Sequence, residues 1–187
     1  MKLKLLLLPL IFAAFTLALL TQCTSKKSAP KGETRVEILC SGPDYFSSSD
    51  TFRANSVAES PNQANSKRMA LSNARSDLAG QIEVTVKAVI DNYFQDMTVG
   101  DQQEYVGRYE GLSREVINQK LSGVRIICEE ITRTEQGRYK TYIAIELGAD
   151  DIVGSLNDRI SSDDRLRTNY EYERFKREFE SEMNKMD

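Results

Sequence analysis

Histidine is absent from this chain, and cysteine occurs three times, at positions 23, 40 and 128. Together these two facts bound its chemistry. Without an imidazole there is no Ser-His or Cys-His nucleophile, no histidine metal ligand and no histidine pH switch. A thiol acting alone would need an activating cation and a base. Cys23 has a different use, as an acceptor of lipid. It closes a stretch that begins with Lys2 and Lys4, continues as an apolar run from Leu5 to Leu20 and ends in Leu20-Thr21-Gln22-Cys23. Roughly 20 apolar residues are needed to span a bilayer, so a shorter run behind a basic start reads as a secretory signal.

This is the layout of a bacterial lipoprotein signal, with Gln22 standing where Gly or Ala is the rule. Residues 1–22 are therefore expected to be removed. The Cys23 thiol would then become a thioether to diacylglycerol, and its amine would take a fatty acid such as palmitate. At about 0.8 kcal/mol per buried methylene, two or three acyl chains hold a domain firmly where one gives only marginal binding. Thr24 to Gly32 (TSKKSAPKG) is small, polar and basic without apolar periodicity, as a flexible tether should be, and residues 23–34 are assigned to it.

Loss of the signal takes Lys2 and Lys4 with it and leaves a net charge near −5, with 28 acidic side chains in the chain. Nucleic-acid partners are disfavoured, because counterion release from phosphate needs a basic face, and none with interleaved aromatics is present. About 150 residues remain, enough for one domain with a modest core.

The elements that would position Cys40 and Cys128 are read from periodicity. Val36 to Gly42 (VEILCSG) alternates Val36, Ile38 and Cys40 against Glu37 and Leu39 and stops at Gly-Pro, as a short strand does. Asp44 to Glu59, rich in Ser, Asp, Asn and Thr, reads as a surface loop. Ser60, Pro61 and Gln63 then supply an N-cap, an N1 proline and an N3 capping-box partner for a helix. Its apolar stripe is Leu71, Ala74, Leu78, Ile82, Val86, Val89, Tyr93 and Met97; a strand over Ile82–Val86 competes, but the 3.6 spacing continues on both sides.

Gly100 stops this helix, and Asp101 with Glu104 opens another, from Gln102 to about Ser122, with the stripe Tyr105, Tyr109, Leu112, Val116 and Leu121. Beyond Gly123, Val124–Thr134 and Tyr139–Leu147 flank Glu135-Gln136-Gly137-Arg138, a hairpin signal. Asp150 to Asp187 is an amphipathic helical segment, broken and freshly capped at Ser161-Ser162-Asp163-Asp164. The order strand, helix, helix, strand, strand, helix predicts an α+β two-layer domain over residues 35–149, its small, mostly antiparallel three-stranded sheet packed by amphipathic helices, with 150–187 as a C-terminal addition.

Cys40-Ser41-Gly42, the helical run Ala74-Arg75-Ser76-Asp77-Leu78-Ala79-Gly80-Gln81-Ile82 and Gly137-Arg138-Tyr139-Lys140-Thr141-Tyr142 together resemble the LPP-twenty family of bacterial lipoproteins. The likeness covers Val36 to about Leu147. It implies an outer-membrane or envelope lipoprotein of about twenty kilodaltons with an α/β domain and no catalytic residues to transfer. The charged tail after Ile160 lies outside that pattern.

Four further groups of residues have both a functional and a packing interpretation. Cys40 and Cys128 are candidates for a disulfide, but on adjacent strands the fit is tight, and two buried thiols packing as small hydrophobes are the expectation. Glu129-Glu130, Asp150-Asp151 and Asp163-Asp164 read as solvated surface and helix-start charge rather than as metal ligands, because calcium needs 6 to 8 oxygens organised in a loop. Gly107 and Gly111 would permit close approach to a neighbouring element. Tyr170, Tyr172, Phe175 and Phe179 either cover the core or form anchors for a partner protein. No cofactor is expected. The resulting reading is a non-enzymatic envelope lipoprotein facing the periplasm from the outer membrane, with a structural or protein-interaction role and the capacity for self-association. The alternative is a periplasmic binding module for a small hydrophobic or cell-wall ligand.

Overall fold

A computed structural model describes residues 29–95 and 102–187. Cys23, most of the tether, Met97, Gly100 and Asp101 lie outside the described residues. The chain divides into two units, residues 1–37 and Ile38–Asp187. In the first, the described residues contain a turn in which the Glu33 amide donates to the Pro30 carbonyl at 3.1 Å, with Gly32 at φ 89°.

The second unit is α+β, in the order strand, helix, helix, strand, strand, helix, with the last helical part split in two. Strand β1 (Thr51–Ser60) leads into α1 (Gln63–Gln95) and α2 (Gln102–Leu121). The hairpin β2 (Arg125–Arg133) and β3 (Tyr139–Gly148) follows, then α3 (Ala149–Ser161) and α4 (Tyr172–Met183). The sheet is antiparallel throughout, with β3 between β1 and β2.

The expected first strand is corrected. Residues 36–42 form no strand, and the segment read as a loop supplies β1 instead. The reason lies in its inward side chains. Phe52, Ala54, Ala58 and Ser60 alternate into the core, but three of the four are small, so the segment's hydropathy stays low although its period is two. Small residues also serve the packing, because α1 presents Ser66, Ala70 and Ala74 at the same end and comes close to the sheet. Ser66 donates to the Gln63 carbonyl, so the buried Thr141 hydroxyl on β3, 2.8 Å away, must donate to Ser66 Oγ. One hydroxyl pair thus satisfies both polar groups in the interior.

The start of α1 is displaced by two residues from the expectation. Ser60 ends β1, and its hydroxyl accepts the Asn62 amide; Asn62 is the N-cap, its Oδ1 accepting the Asn65 N–H at 3.1 Å. From there Leu78, Ile82, Val86, Val89, Ile90 and Tyr93 continue the buried face, and the β-branched cluster stays helical because that face is unbroken. In the hairpin, Gly137 at φ 80° donates to the Thr134 carbonyl at 2.9 Å and takes the left-handed position that the turn requires.

The boundary expected at residue 149/150 falls inside α3 and is also corrected. Ile152, Leu156, Ile160, Leu166, Phe175, Phe179 and Met183 join the same core as the sheet and α1. The fresh helix expected at Asp163 does not start there. Asp163 Oδ1 instead accepts the Arg165 and Leu166 amides and turns the chain into a short 3-10 stretch (Arg167–Asn169), and α4 begins at Tyr172. No helix among the described residues is long and apolar enough to cross a membrane.

Candidate functional site

The sheet has two differently built faces. On the inner face Phe52, Ile143, Ile145 and Leu147 meet α1, and α4 packs beside α1. Phe179 stands edge-on to Phe52 at 6.4 Å, and Phe175 edge-on to Tyr93 at 5.7 Å. Tyr93 ties α1 to the chain before α4, accepting the Glu171 amide at 2.8 Å and donating to the Asn169 carbonyl at 3.3 Å. Burial pushes the Tyr109 and Tyr170 phenols well above their ordinary range, and the Tyr170 hydroxyl is buried with no hydrogen-bond partner.

Of the two readings of the C-terminal aromatics, core cover is the one the structure bears out, and the partner-binding alternative is corrected. Phe175 and Phe179 are buried in the chain's own core, Tyr170 packs on Tyr93, Tyr109 and Phe175, and Tyr172 is half-buried. The i, i+4, i+8 spacing of Phe175, Phe179 and Met183 was legible, but its partner is intramolecular. Gly107 and Gly111 are corrected as well. A Cβ at either would meet nothing within 4 Å, so neither brings another element close.

On the outer face Cys40 and Cys128 are joined as a disulfide, with Cα atoms 5.5 Å apart. The expectation of two free thiols fails because Cys40 is in no strand. It sits in the left-handed region at φ 53°, in a segment that lies over β2 and β3, with Cys40 Sγ 3.7 Å from the Tyr142 carbonyl, rather than pairing beside a strand. That segment, residues 38–50, is a strap. From Cys128 on β2 it passes the short 3-10 stretch Pro43–Tyr45 and reaches β1, where Ser47 Oγ accepts the Arg53 amide at 2.9 Å. Beneath its course Ala144, the strand partner of Cys128, is fully buried yet lies outside the main core cluster.

Beside the strap, Glu146 accepts from Arg53 Nε at 3.1 Å and from Arg125. Burial alone would raise this carboxyl, but the two guanidiniums outweigh it and hold Glu146 below the usual carboxylate range. No protein-family model matches the chain. No curated protein matches it either.

The acidic pairs read from the sequence are placed at the sheet and at chain turns. Glu129 pairs with Lys67 of α1 at 2.8 Å, while Glu130 stands opposite Tyr142. Asp150 and Asp151 lie in the first turn of α3, where the helix dipole favours negative charge. Asp163 binds Arg108, whose hydrogen bond holds the carboxyl below its ordinary range. No group of three potential ligands is placed to hold a metal among the described residues. A groove of about 210 Å³ between α1 and α2 is lined by Val86, Ile90 and Ile117 under a rim of Glu83, Lys87, Glu110 and Arg114. It is smaller than the ~300 Å³ at which ligand pockets begin. Larger hollows of about 520 to 670 Å³ are open to solvent and carry charged linings.

Proposed function

We propose that this is an envelope lipoprotein, tied to the outer membrane through acylated Cys23, whose strapped α+β domain faces the periplasm in a non-catalytic structural or interaction role. The observation that carries this reading is the basic start, the apolar run Leu5–Leu20 and the cysteine three residues beyond it. The Cys40–Cys128 disulfide supports it, since such bonds persist in oxidising compartments and are rare in reducing ones. The resemblance to LPP-twenty lipoproteins supports it too, on the three segments that carry the likeness.

The binding-module reading gains less support, because the apolar groove between α1 and α2 is small and the larger hollows are open and charged. Metabolic labelling with radioactive palmitate is the direct test. Label should enter the wild-type protein and not Cys23→Ala, and only the wild type should sediment with envelopes. Equal labelling and sedimentation of the two would overturn the proposal. Crosslinking in intact cells, followed by recovery of the acylated form, would then identify a partner.

A further inference from the structure

The two edges of the sheet are finished differently. Along β1, backbone groups that point away from β3 are met by the chain before the strand: Ser47 Oγ accepts the Arg53 amide at 2.9 Å and donates to the Arg53 carbonyl at 3.2 Å, while Ser48 and Thr51 exchange backbone hydrogen bonds at 2.9 and 3.3 Å. Along β2 the backbone direction follows from the hairpin. The Thr134 amide donates to the Arg138 carbonyl at 2.8 Å, and successive residues of an antiparallel ladder point alternately toward and away from the partner strand. Thr132 and Glu130 therefore bond to β3, opposite Lys140 and Tyr142, whereas Glu129, Ile131 and Arg133 turn their amides and carbonyls to the open edge. Among the described residues, no hydrogen bond caps these groups.

An uncapped edge is a template for another strand. Space for one is present. No residue of β2 is buried, and Ile131 is 37% exposed. A hollow of about 670 Å³, lined by Pro61, Gln63, Lys67, Glu129, Ile131 and Tyr139, runs between this edge and the first turn of α1. The side chains of Glu129, Ile131 and Arg133 share the α1 side of the sheet, since Ile131 stands opposite Thr141 and Glu129 reaches Lys67.

Charge selects the occupant. Read along the edge, the three residues are acid, aliphatic, base, an order that is its own complement when reversed. A second copy laid antiparallel with Ile131 opposite Ile131 sets each Glu129 opposite an Arg133 at both ends of the ladder, with Glu130 opposite the neutral Thr132 on the other face. The neighbouring registers set a charge against Ile131, and those beyond them set Glu129 against Glu129 or Arg133 against Arg133. Opposite charges and aliphatic pairs across strands are favourable, and like charges directly opposite are not. We infer that the β2 edge is an interface for a second copy of this chain, joined about a two-fold axis through Ile131 into one six-stranded sheet with both α1 helices on the same side. The pairing does not depend on the lipid anchor.

The test is sedimentation velocity of the full-length protein in detergent over a concentration series, where the wild type should form a dimer. Glu129→Arg and Arg133→Glu each set like charges against one another at both ends of the ladder and should weaken the dimer about tenfold or more. An equimolar mixture of these two variants should pair again, because in the mixed dimer both ends regain opposite charges. Ile131→Pro removes an amide that points away from β3, so it should abolish the dimer and leave the hairpin and the Cys40–Cys128 bond in place. A wild type that stays monomeric up to millimolar concentration overturns the inference and leaves the edge to a strand of another protein. A dimer that survives both Ile131→Pro and the charge variants overturns its assignment to β2, and failure of the mixture to pair overturns the register.

Discussion

The two faces of the sheet are closed by opposite means. The inner face is covered by helices whose side chains pack on it, with Phe179 edge-on to Phe52 and Phe175 edge-on to Tyr93. The outer face is covered by an irregular strap held by one covalent bond, the Ser47 hydroxyl on β1 and the Phe46 carbonyl, which accepts from Arg53. A packed face needs many apolar residues in register, whereas a strapped face needs only a few fixed points.

This contrast predicts an order of effects. Phe175→Ala removes a fully buried ring from the inner face and should cost about 3–5 kcal/mol, read as a lowered denaturant midpoint. Replacing both Cys40 and Cys128 with Ala opens a loop of 88 residues and should cost about 2–4 kcal/mol. The same loss should follow reduction of the wild type. If the cysteine pair proved costlier than the ring, the outer face would be the principal source of stability, and the comparison would be reversed.

Glu146→Gln leaves two guanidiniums sharing a neutral amide and should cost about 1–3 kcal/mol at pH 7. The folded carboxyl is held low, so its contribution is present above the unfolded value near pH 4.3 and disappears as pH falls through the folded value. Melting curves of wild type and Glu146→Gln should therefore converge in acid. The smallest effect belongs to neither face. Gly107→Ala, where a Cβ meets nothing, should stabilise α2 by roughly 0.5–1 kcal/mol in thermal melts, and destabilisation there would mean that α2 has an unseen close neighbour.

Legibility in the sequence followed the same division. α1, α2 and the β2–β3 hairpin were read within a few residues, because long apolar periods and a glycine turn are local signals. β1 was missed because Ala54, Ala58 and Ser60 carry alternation without hydropathy. In the C-terminal part, Phe175 and Phe179 were visible as a stripe, but a stripe does not say which surface it meets. The strap had no signal of its own. Cys40 was read as a strand residue, and that misplacement made its bond to Cys128 look awkward.

The sequence alone determined the fold class, the order of the elements, the absence of imidazole chemistry and the signal-like run that ends at Cys23, since each is a matter of residue type and near-neighbour spacing. Only the tertiary structure decided that Cys40 and Cys128 meet, that Glu146 is shared by two arginines, that the C-terminal aromatics are internal and that the strap crosses the outer face. Those are long-range coincidences, fixed by how segments far apart in the chain, 88 residues in the case of the disulfide, are brought together, and no local pattern encodes them.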